Sequence, residues 1–203
     1  ALEKGILILT GGPGTGKTTT LNAIIQILEF EGEKVLLGAP TGRAAKRMTE
    51  LTGCEAKTIH RLLQVEWNEQ ERPMFSKNER NLLECDALIL DELSMVDVTL
   101  FEGVLRALPL GCRLILVGDS DQLPSVGAGN VLGNLIDTKL LPVVQLNEIF
   151  RQSMESLIVT NAHKIVNGQM PDLRTKDNDF FFLSCNDSQR ISQTIVDLCS
   201  ERL

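Results

Sequence analysis

Gly-Gly-Pro-Gly-Thr-Gly-Lys-Thr, at Gly11–Thr18, lies between an apolar strand-like stretch at Ile6–Leu9 and a helix-like stretch at Thr19–Phe30. A strand, a glycine-rich loop and a helix in this order form the full Walker A pattern in the context that the pattern requires. Glycines let successive backbone N–H groups turn toward phosphate oxygens, and the N-terminus of the following helix adds positive potential. The stretch therefore predicts a site for nucleotide phosphates.

The side chains of this loop have predicted tasks. Lys17 is expected to reach the β- and γ-phosphates, and the Thr18 hydroxyl is expected to face Mg²⁺. The alternative is a glycine-rich turn that only joins a strand to a helix, but such a turn seldom needs a Lys-Thr pair in this register. The predicted nucleotide contacts are Gly12, Pro13, Gly14, Thr15, Gly16, Lys17, Thr18 and Thr19.

Length and composition fit a globular protein. The chain has 203 residues, 43% of them hydrophobic, which is enough for one good core and part of another. Its longest apolar runs, such as Ala87–Leu90, are too short to span a bilayer, and no signal segment opens the chain, so we expect a soluble cytoplasmic protein. The five cysteines form no Cys-x-x-Cys pair, which favours reduced thiols over disulfides or a zinc site. They are Cys54, Cys85, Cys112, Cys185 and Cys199.

The net charge of −7 argues against wholesale coating of a polyanion. One segment departs from this average, because its basic residues are opposed only by Glu50 and Glu55. If nucleic acid binds, we expect it to bind at this segment; the alternative is a solvated helix face. The basic residues are Arg43, Lys46, Arg47, Lys57 and Arg61.

Short apolar runs alternate with longer helical patterns along the chain, which predicts an α/β fold with a parallel sheet covered by helices on both faces. The predicted strands are Ile6–Thr10, Val35–Ala39, Ala87–Leu90, Arg113–Val117 and Val143–Leu146. The predicted helices are Lys17–Phe30, Arg43–Leu51, Val98–Leu108, Asn130–Ile136 and Met154–Val166. We expect this domain to cover residues 1–170.

Two stretches depart from that alternation. Gln64–Lys77 carries Trp67 and Phe75 on either side of a polar turn, which predicts a small β-hairpin insertion. After Pro171 a polar linker leads to a strand-like Phe180–Leu183 and a helical pattern at 189–203. We expect residues 171–203 to be a linker and the beginning of a second domain.

Polar residues follow two of the predicted strands. Asp91 and Glu92 end a buried strand in a Walker B pattern, where Asp91 can hold Mg²⁺ and Glu92 can orient or deprotonate an attacking water, so the pair favours hydrolysis over simple binding. Gln122 follows the next strand, and its amide can contact both the γ-phosphate and that water. Taken alone, an acidic pair after a strand is most often part of a solvated loop or a helix cap, but the Walker A pattern upstream favours the catalytic interpretation. Residues 119–124, taken alone, are equally typical of a simple turn.

Six motifs follow one another along the chain: GGPGTGKTTT at 11–20, APTGRAAKRM at 39–48, KTIHRLL at 57–63, DELSMVD at 91–97, GDSDQLPSVGAGNVL at 118–132 and LNEIFRQ at 146–152. In this order they resemble the motifs of superfamily 1 helicases, and within them those of the RecD-like (RecD/TraA) group. The resemblance covers nearly the whole chain, and Leu93 replaces an alanine that is common in the family. It implies a P-loop NTPase fold of the RecA-like type that couples ATP hydrolysis to 5′–3′ movement on single-stranded DNA.

The resemblance also assigns roles to residues outside the phosphate loop. It implies that single-stranded DNA contacts Thr41, Gly42, Arg43, Thr58 and His60. These residues would position the strand without reading its base sequence. It further implies that Arg151 reaches the γ-phosphate and stabilises transition-state charge, and that the hairpin is a wedge at the fork. The bland alternatives are an ordinary partly buried histidine, a surface ion pair for Arg151 and a hairpin that simply packs on the domain.

The family's later motifs have no counterpart before Leu203, and the upstream adenine-reading glutamine segment is missing too. We therefore expect an incomplete motor that binds ATP weakly and hydrolyses it poorly by itself. Two close alternatives are the helicase α subunit of exodeoxyribonuclease V, which would act with recombination-complex subunits, and a conjugative relaxase-helicase. Alternatives from other classes are a P-loop nucleotide kinase or switch and a pure DNA-binding module.

Overall fold

The computed structural model describes residues 5–67, 73–150, 154–175 and 179–202. The chain divides into two compact units, residues 1–150 and 151–203. The division falls after Phe150, earlier than the predicted boundary at residue 170. That residues 171–203 begin a second RecA-like domain stays a prediction.

The first unit is built on a parallel sheet of six strands in the order β3-β2-β6-β7-β1-β8. Its strands are β1 Ile6–Gly11, β2 Val35–Ala39, β3 Ala56–Thr58, β6 Ala87–Leu90, β7 Arg113–Gly118 and β8 Val143–Leu146. The hairpin strands are β4 Val65–Trp67 and β5 Pro73–Phe75. The sheet and its helices confirm the predicted α/β fold.

Helices cover both faces of this sheet. The first-unit helices are α1 Lys17–Phe30, α2 Gly42–Thr52, α3 Ile59–Leu62, α4 Val98–Ala107 and α5 Val131–Asp137. Leu21 and Ile25 of α1 and Met48 of α2 pack with one set of strand residues, while α3, α4 and α5 pack with the other set. Each crossover between parallel strands therefore adds a helix to one face of the sheet.

Strand β6 shows why a continuous apolar run suits this position. Ala87 and Ile89 belong to the core under α1 and α2, whereas Leu88 and Leu90 belong to the core under α4 and α5. All four side chains are fully buried. Because successive side chains point to opposite faces of a strand, a strand covered on both faces has no position for a polar residue until it ends at Asp91.

Several helices begin with a polar side chain that accepts a backbone N–H. Thr41 accepts from Ala44 at 3.2 Å at the start of α2, and Thr58 accepts from Arg61 at 3.3 Å at the start of α3. Such N-caps satisfy amides that lack a partner within the helix. Strand β3 and helix α3 were not predicted, because three and four residues are too short to show a period.

The predicted hairpin is confirmed. β4 and β5 pair in antiparallel fashion, with Val65 opposite Phe75. Phe75 lies so close to Gly103 of α4 that a Cβ added there would approach its ring to 2.7 Å. The hairpin is thus packed onto the domain, and its use as a wedge stays a prediction.

The second unit contains α6 Leu157–Val166 and α7 Ser188–Arg202. Helix α6 begins later than predicted because Ser156 caps it, accepting from the Val159 N–H at 3.2 Å. The Asp179 carboxylate accepts from the Leu157 N–H at 2.8 Å and joins the following segment to this helix start. The amide of Asn161, which is 2% exposed, exchanges two hydrogen bonds with the Asp172 backbone.

The prediction of a strand at Phe180–Leu183 was wrong. These residues belong to no strand, and the side chains of Phe181, Phe182 and Leu183 are more than half exposed. An apolar run becomes a strand only beside another strand, and the described part of the second unit contains none.

In the ranges that the structure describes, no helix combines the length and the apolar character needed to cross a bilayer.

Candidate nucleotide and nucleic-acid site

The glycine-rich loop follows β1 and leads directly into α1. Gly14 and Gly16 have φ of 75° and 86°, in the left-handed region that favours glycine. A Cβ on Gly11 would lie 2.7 Å from the Leu146 carbonyl oxygen and from Thr15 Oγ1. The Thr15 hydroxyl donates to the Gly12 carbonyl at 2.9 Å and fixes the turn from within. The loop conformation therefore depends on these glycines.

Lys17, the first residue of α1, folds over this loop. Its ammonium donates to the Gly11 carbonyl at 2.5 Å and to the Gly12 carbonyl at 3.0 Å. Helix α1 begins after Gly16, so its unpaired amides point at the same place. A phosphate at this helix start would meet both an ammonium and backbone donors.

The Walker B pair lies at the carboxyl end of β6, which is separated from β1 only by β7. The Asp91 N–H continues the ladder by donating to the Gly38 carbonyl at 2.9 Å. Glu92 has φ of 55°, a conformation that is uncommon outside glycine, and its N–H donates to Asp91 Oδ1 at 2.9 Å. This turn fixes the two adjacent carboxylates relative to each other.

Partial burial controls the charge of both carboxylates. Burial raises the pKa of Asp91, although the Glu92 N–H and the positive charges of Lys17 and Arg47 oppose it. Burial, followed by the negative charge of Asp91, raises the pKa of Glu92. A desolvated carboxylate is a stronger base than one in water, which suits a group that must accept a proton from water.

Gln122 follows β7 and is linked to the Walker B turn. The Ser94 hydroxyl, in the short 3₁₀ turn Leu93–Met95, donates to Gln122 Oε1 at 3.3 Å. The Gln122 N–H donates to the Asp119 carbonyl oxygen at 3.3 Å. Ser94 is buried whereas Gln122 is exposed, so the bond ties an exposed amide to the buried turn that follows the acidic pair. Ser94 was not among the predicted site residues; its place two residues after Glu92 was the available signal.

Phe150 is a second residue that the sequence analysis missed. Its N–H donates to the Gly14 carbonyl at 3.1 Å, and a Cβ on Gly16 would overlap its ring. The ring is 58% exposed. An aromatic surface therefore lies beside the phosphate loop, where the base of a nucleotide could pack. Its position directly before Arg151 in the LNEIFRQ motif was the available signal.

The donors present fit Mg²⁺ held together with a nucleotide. Thr18 and Thr19 are exposed at the start of α1, and Asp91 supplies a half-buried carboxylate two strands away. Mg²⁺ is usually bound by one or two carboxylates together with substrate phosphates and water. Among the described residues, no group of three or more His, Cys, Asp or Glu side chains forms a separate metal cluster.

The predicted DNA contacts come together at the neighbouring part of this edge. Ala39 of β2 pairs with Thr58, the last residue of β3, so Thr58 and Thr41 lie at the ends of adjacent strands. Thr41 and His60 line one cleft of about 330 Å³ with Phe75 and Met95. Arg43 lies exposed in the first turn of α2. A Cβ on Gly42 would meet no atom within 4 Å, so this site leaves the backbone open.

The basic segment is partly neutralised by its own glutamates. Lys46 pairs with Glu50 at 3.8 Å, and Lys57 pairs with Glu55 at 3.5 Å. The four side chains are 47–80% exposed, so these pairs are weak and easily exchanged for other partners. Arg151 lies outside the described residues, and its predicted contact with the γ-phosphate stays a prediction.

Replacing Glu92 with glutamine should stabilise the fold. Burial raises the pKa of Glu92, so the folded chain holds the carboxyl proton of Glu92 more tightly than the unfolded chain does. The free energy of unfolding therefore falls as the pH rises from the pKa of the unfolded chain through that of the folded chain. At neutral pH in a metal chelator, Glu92→Gln should raise the thermal midpoint by about 2–4 °C for each kcal/mol of relieved desolvation. Calorimetry at decreasing pH should show this gain shrinking.

Glu84→Gln is the matched control, because the Glu84 side chain is 82% exposed and its replacement should change the midpoint little. A lower midpoint for Glu92→Gln at neutral pH would contradict the role of burial.

Comparison with known proteins agrees with this geometry. The chain is 42% identical over 166 residues to the ATP-dependent RecD2 DNA helicase of Deinococcus radiodurans, covering 82% of this chain and 22% of that protein. It is 39% identical over 160 residues to the RecBCD enzyme subunit RecD of Mycolicibacterium smegmatis, covering 68% of this chain and 28% of that protein. The chain thus spans about a quarter of the length of these relatives.

A solved structure has the same fold. The Pif1 helicase from Bacteroides, determined in complex with ADP-AlF3 and ssDNA, matches with a TM-score of 0.56 and 22% identity over 100% of this chain and 55% of that one. The resemblance to RecD-like helicases is therefore confirmed at the level of sequence and fold. The AAA domain family model matches residues 1–128, and the chain belongs to this family.

Proposed function

We propose that this chain is the motor domain of an ATP-dependent DNA helicase that moves 5′ to 3′ on single-stranded DNA. One observation carries the proposal: two sets of polar groups occupy adjoining parts of one sheet edge. The candidate nucleotide set follows β6, β7 and β1, and the candidate DNA set follows β3 and β2. Strands β2 and β6 are neighbours, so a nucleotide and a nucleic-acid strand would bind side by side.

In the proposed nucleotide site, the loop amides and Lys17 bind the phosphates of ATP, and Thr18 and Asp91 would hold Mg²⁺. Bound Mg²⁺ would neutralise charge on the phosphates and orient the γ-phosphate. Glu92 positions and deprotonates the attacking water, and Gln122, held by Ser94 at 3.3 Å, orients it. These are tasks of position and charge, which is what phosphoryl transfer requires of a protein.

In the proposed DNA site, the Thr41 and Thr58 hydroxyls contact phosphate oxygens of the strand. Each hydroxyl oxygen already accepts a hydrogen bond from a backbone N–H of the helix, which fixes its position. The hydroxyl proton remains available to donate to a phosphate oxygen. Arg43 adds a cation in the same turn. Such contacts position a strand without reading its bases, so binding would be independent of sequence and sensitive to salt.

A subunit of a recombination nuclease is the second candidate. The relative from Mycolicibacterium smegmatis is named as a subunit of the RecBCD enzyme, and its identity to this chain is close to that of the RecD2 relative. The motor chemistry of the two candidates is the same, and only their partner subunits differ.

The function is tested by ATP hydrolysis in the full-length protein, with and without single-stranded DNA. We expect DNA to stimulate hydrolysis strongly. We expect Glu92→Gln to reduce turnover by about 10²-fold or more, because the attacking water loses its general base. ATP binding, measured separately by titration calorimetry, should survive in this variant. Hydrolysis that does not depend on DNA would contradict the motor assignment.

Arg43→Ala should weaken binding of single-stranded DNA equally for all sequences. Loss of one phosphate contact should also make the slope of log affinity against log salt concentration shallower by about one unit. Fluorescence anisotropy of labelled oligonucleotides at several salt concentrations measures both effects. Lys34→Ala is the charge-matched control, because Lys34 precedes β2 at the opposite edge of the sheet. A loss confined to one DNA sequence would contradict the proposed backbone contact.

Phe150→Ala should weaken the binding of ATP but not of inorganic tripolyphosphate. The Phe150 ring contacts the loop beside Gly16 and offers an apolar surface on which a base can pack. Tripolyphosphate has no base, so removal of the ring should not affect its binding. Titration calorimetry with both ligands should show a reduction of about 5–20-fold in ATP affinity alone. An equal loss for both ligands would show instead that Phe150 supports the loop conformation.

A further inference from the structure

Two cysteines lie together at the amino-terminal edge of the sheet. Cys85 precedes β6 and Cys112 precedes β7, and their sulfur atoms are 3.6 Å apart. The Arg113 N–H donates to the Asp86 carbonyl at 2.8 Å, so a backbone hydrogen bond joins the residues that follow the two thiols. The pairing of β6 with β7 therefore holds the two cysteines next to each other.

The two thiols are chemically unequal. The hydrogen bond from Cys112 lowers the pKa of Cys85, outweighing burial and the negative charge of Asp86, with a smaller contribution from Lys34. The same bond raises the pKa of Cys112. The two thiols therefore titrate as a pair, and Cys85, the more exposed of the two, is the sulfur that can act as the nucleophile.

The pair opens into a cleft. Cys85 and Cys112 line a depression of about 700 Å³ with Gly32, Glu33, Pro109 and Gly111. Cys112 is only 9% exposed, whereas Cys85 is half-buried. Both side chains line the cleft, and Cys85 is the one more accessible to a small oxidant.

We propose that Cys85 and Cys112 form a redox-active dithiol that a peroxide converts into an intramolecular disulfide. The Cys85 thiolate attacks one peroxide oxygen of hydrogen peroxide, the O–O bond breaks, and the departing hydroxide takes up a proton to become water. Cys112 then attacks the resulting sulfenic sulfur and loses its proton, and a second water leaves. Two thiols are oxidised and one peroxide is reduced to two waters. A small dithiol reverses the reaction by exchange.

The distance between the sulfurs is short enough for a bond to form after a small movement. A disulfide is about 2.05 Å long, so the sulfurs need to approach by about 1.5 Å. The bond would link residues 27 apart in sequence, and the loop so closed contains Asp91 and Glu92. It would lie about 20 Å from those carboxylates along β6, because six residues of extended chain separate Cys85 from Asp91. We therefore expect it to stabilise the sheet without contacting the nucleotide site.

The test uses a variant in which Cys54→Ser, Cys185→Ser and Cys199→Ser leave only the pair. After treatment with hydrogen peroxide under native conditions, alkylation and proteolysis, mass spectrometry should find a single linked peptide pair containing both cysteines. The thermal midpoint should rise by about 5–15 °C, because the cross-link restricts the unfolded chain. Dithiothreitol should reverse both changes.

Adding Cys112→Ser to this variant provides the control. Cys85 should then stop at the sulfenic acid, which dimedone traps, and the midpoint should not rise. The proposal is overturned if both cysteines remain alkylatable after native treatment, or if they become linked only when urea has unfolded the chain. Oxidation of Cys85 to sulfinic acid in place of the disulfide would also overturn it.

Discussion

Burial of the parallel sheet on both faces is the constraint on which the rest of this structure depends. Strands β6 and β7 lie in the interior of the sheet, and Leu88 and Ile89 show that successive residues of one strand enter two different cores. No polar group can be accommodated within such a strand without a partner. The polar residues of these strands are therefore confined to the strand ends, and parallel strands bring all their carboxyl ends to one edge. The acidic pair and Gln122 lie at this edge because the buried strands before them cannot hold polar side chains.

Sequence reasoning succeeded where local pattern and burial agree. The apolar run at Ala87–Leu90 and the glycine loop before α1 are both specified by their local sequence, and the structure has both elements where they were expected. It was wrong at Phe180–Leu183, because an apolar run does not reveal whether a neighbouring strand exists. It missed β3 and α3, which are defined by pairing and capping and are too short to show a period.

The site divides along the same line. Residue types could be assigned to tasks from motifs, but the bond from Ser94 to Gln122 and the packing of Phe150 on Gly16 join segments that are far apart in sequence. Such contacts follow from the order of strands in the sheet, which pattern alone does not determine. The partial burial of Asp91 and Glu92, and hence their raised pKa values, is likewise a property of the assembled edge. A more polar surrounding would favour their charged forms and make both weaker bases, so the site gives up some stability for reactivity.

The threonine N-caps have a mechanical consequence. Helices α1 and α2 pack in the same core through Leu21, Ile25 and Met48. Under the proposed function, a nucleotide holds the first turn of α1, while a DNA phosphate holds the Thr41 hydroxyl that starts α2. Tension on the strand would then be borne by the end of one helix and transmitted through a close-packed hydrocarbon layer to the end of the other. The nucleotide site and the DNA site would be connected through two packed helices. The stiffness of the contact between these helices would limit how much force such a motor can deliver.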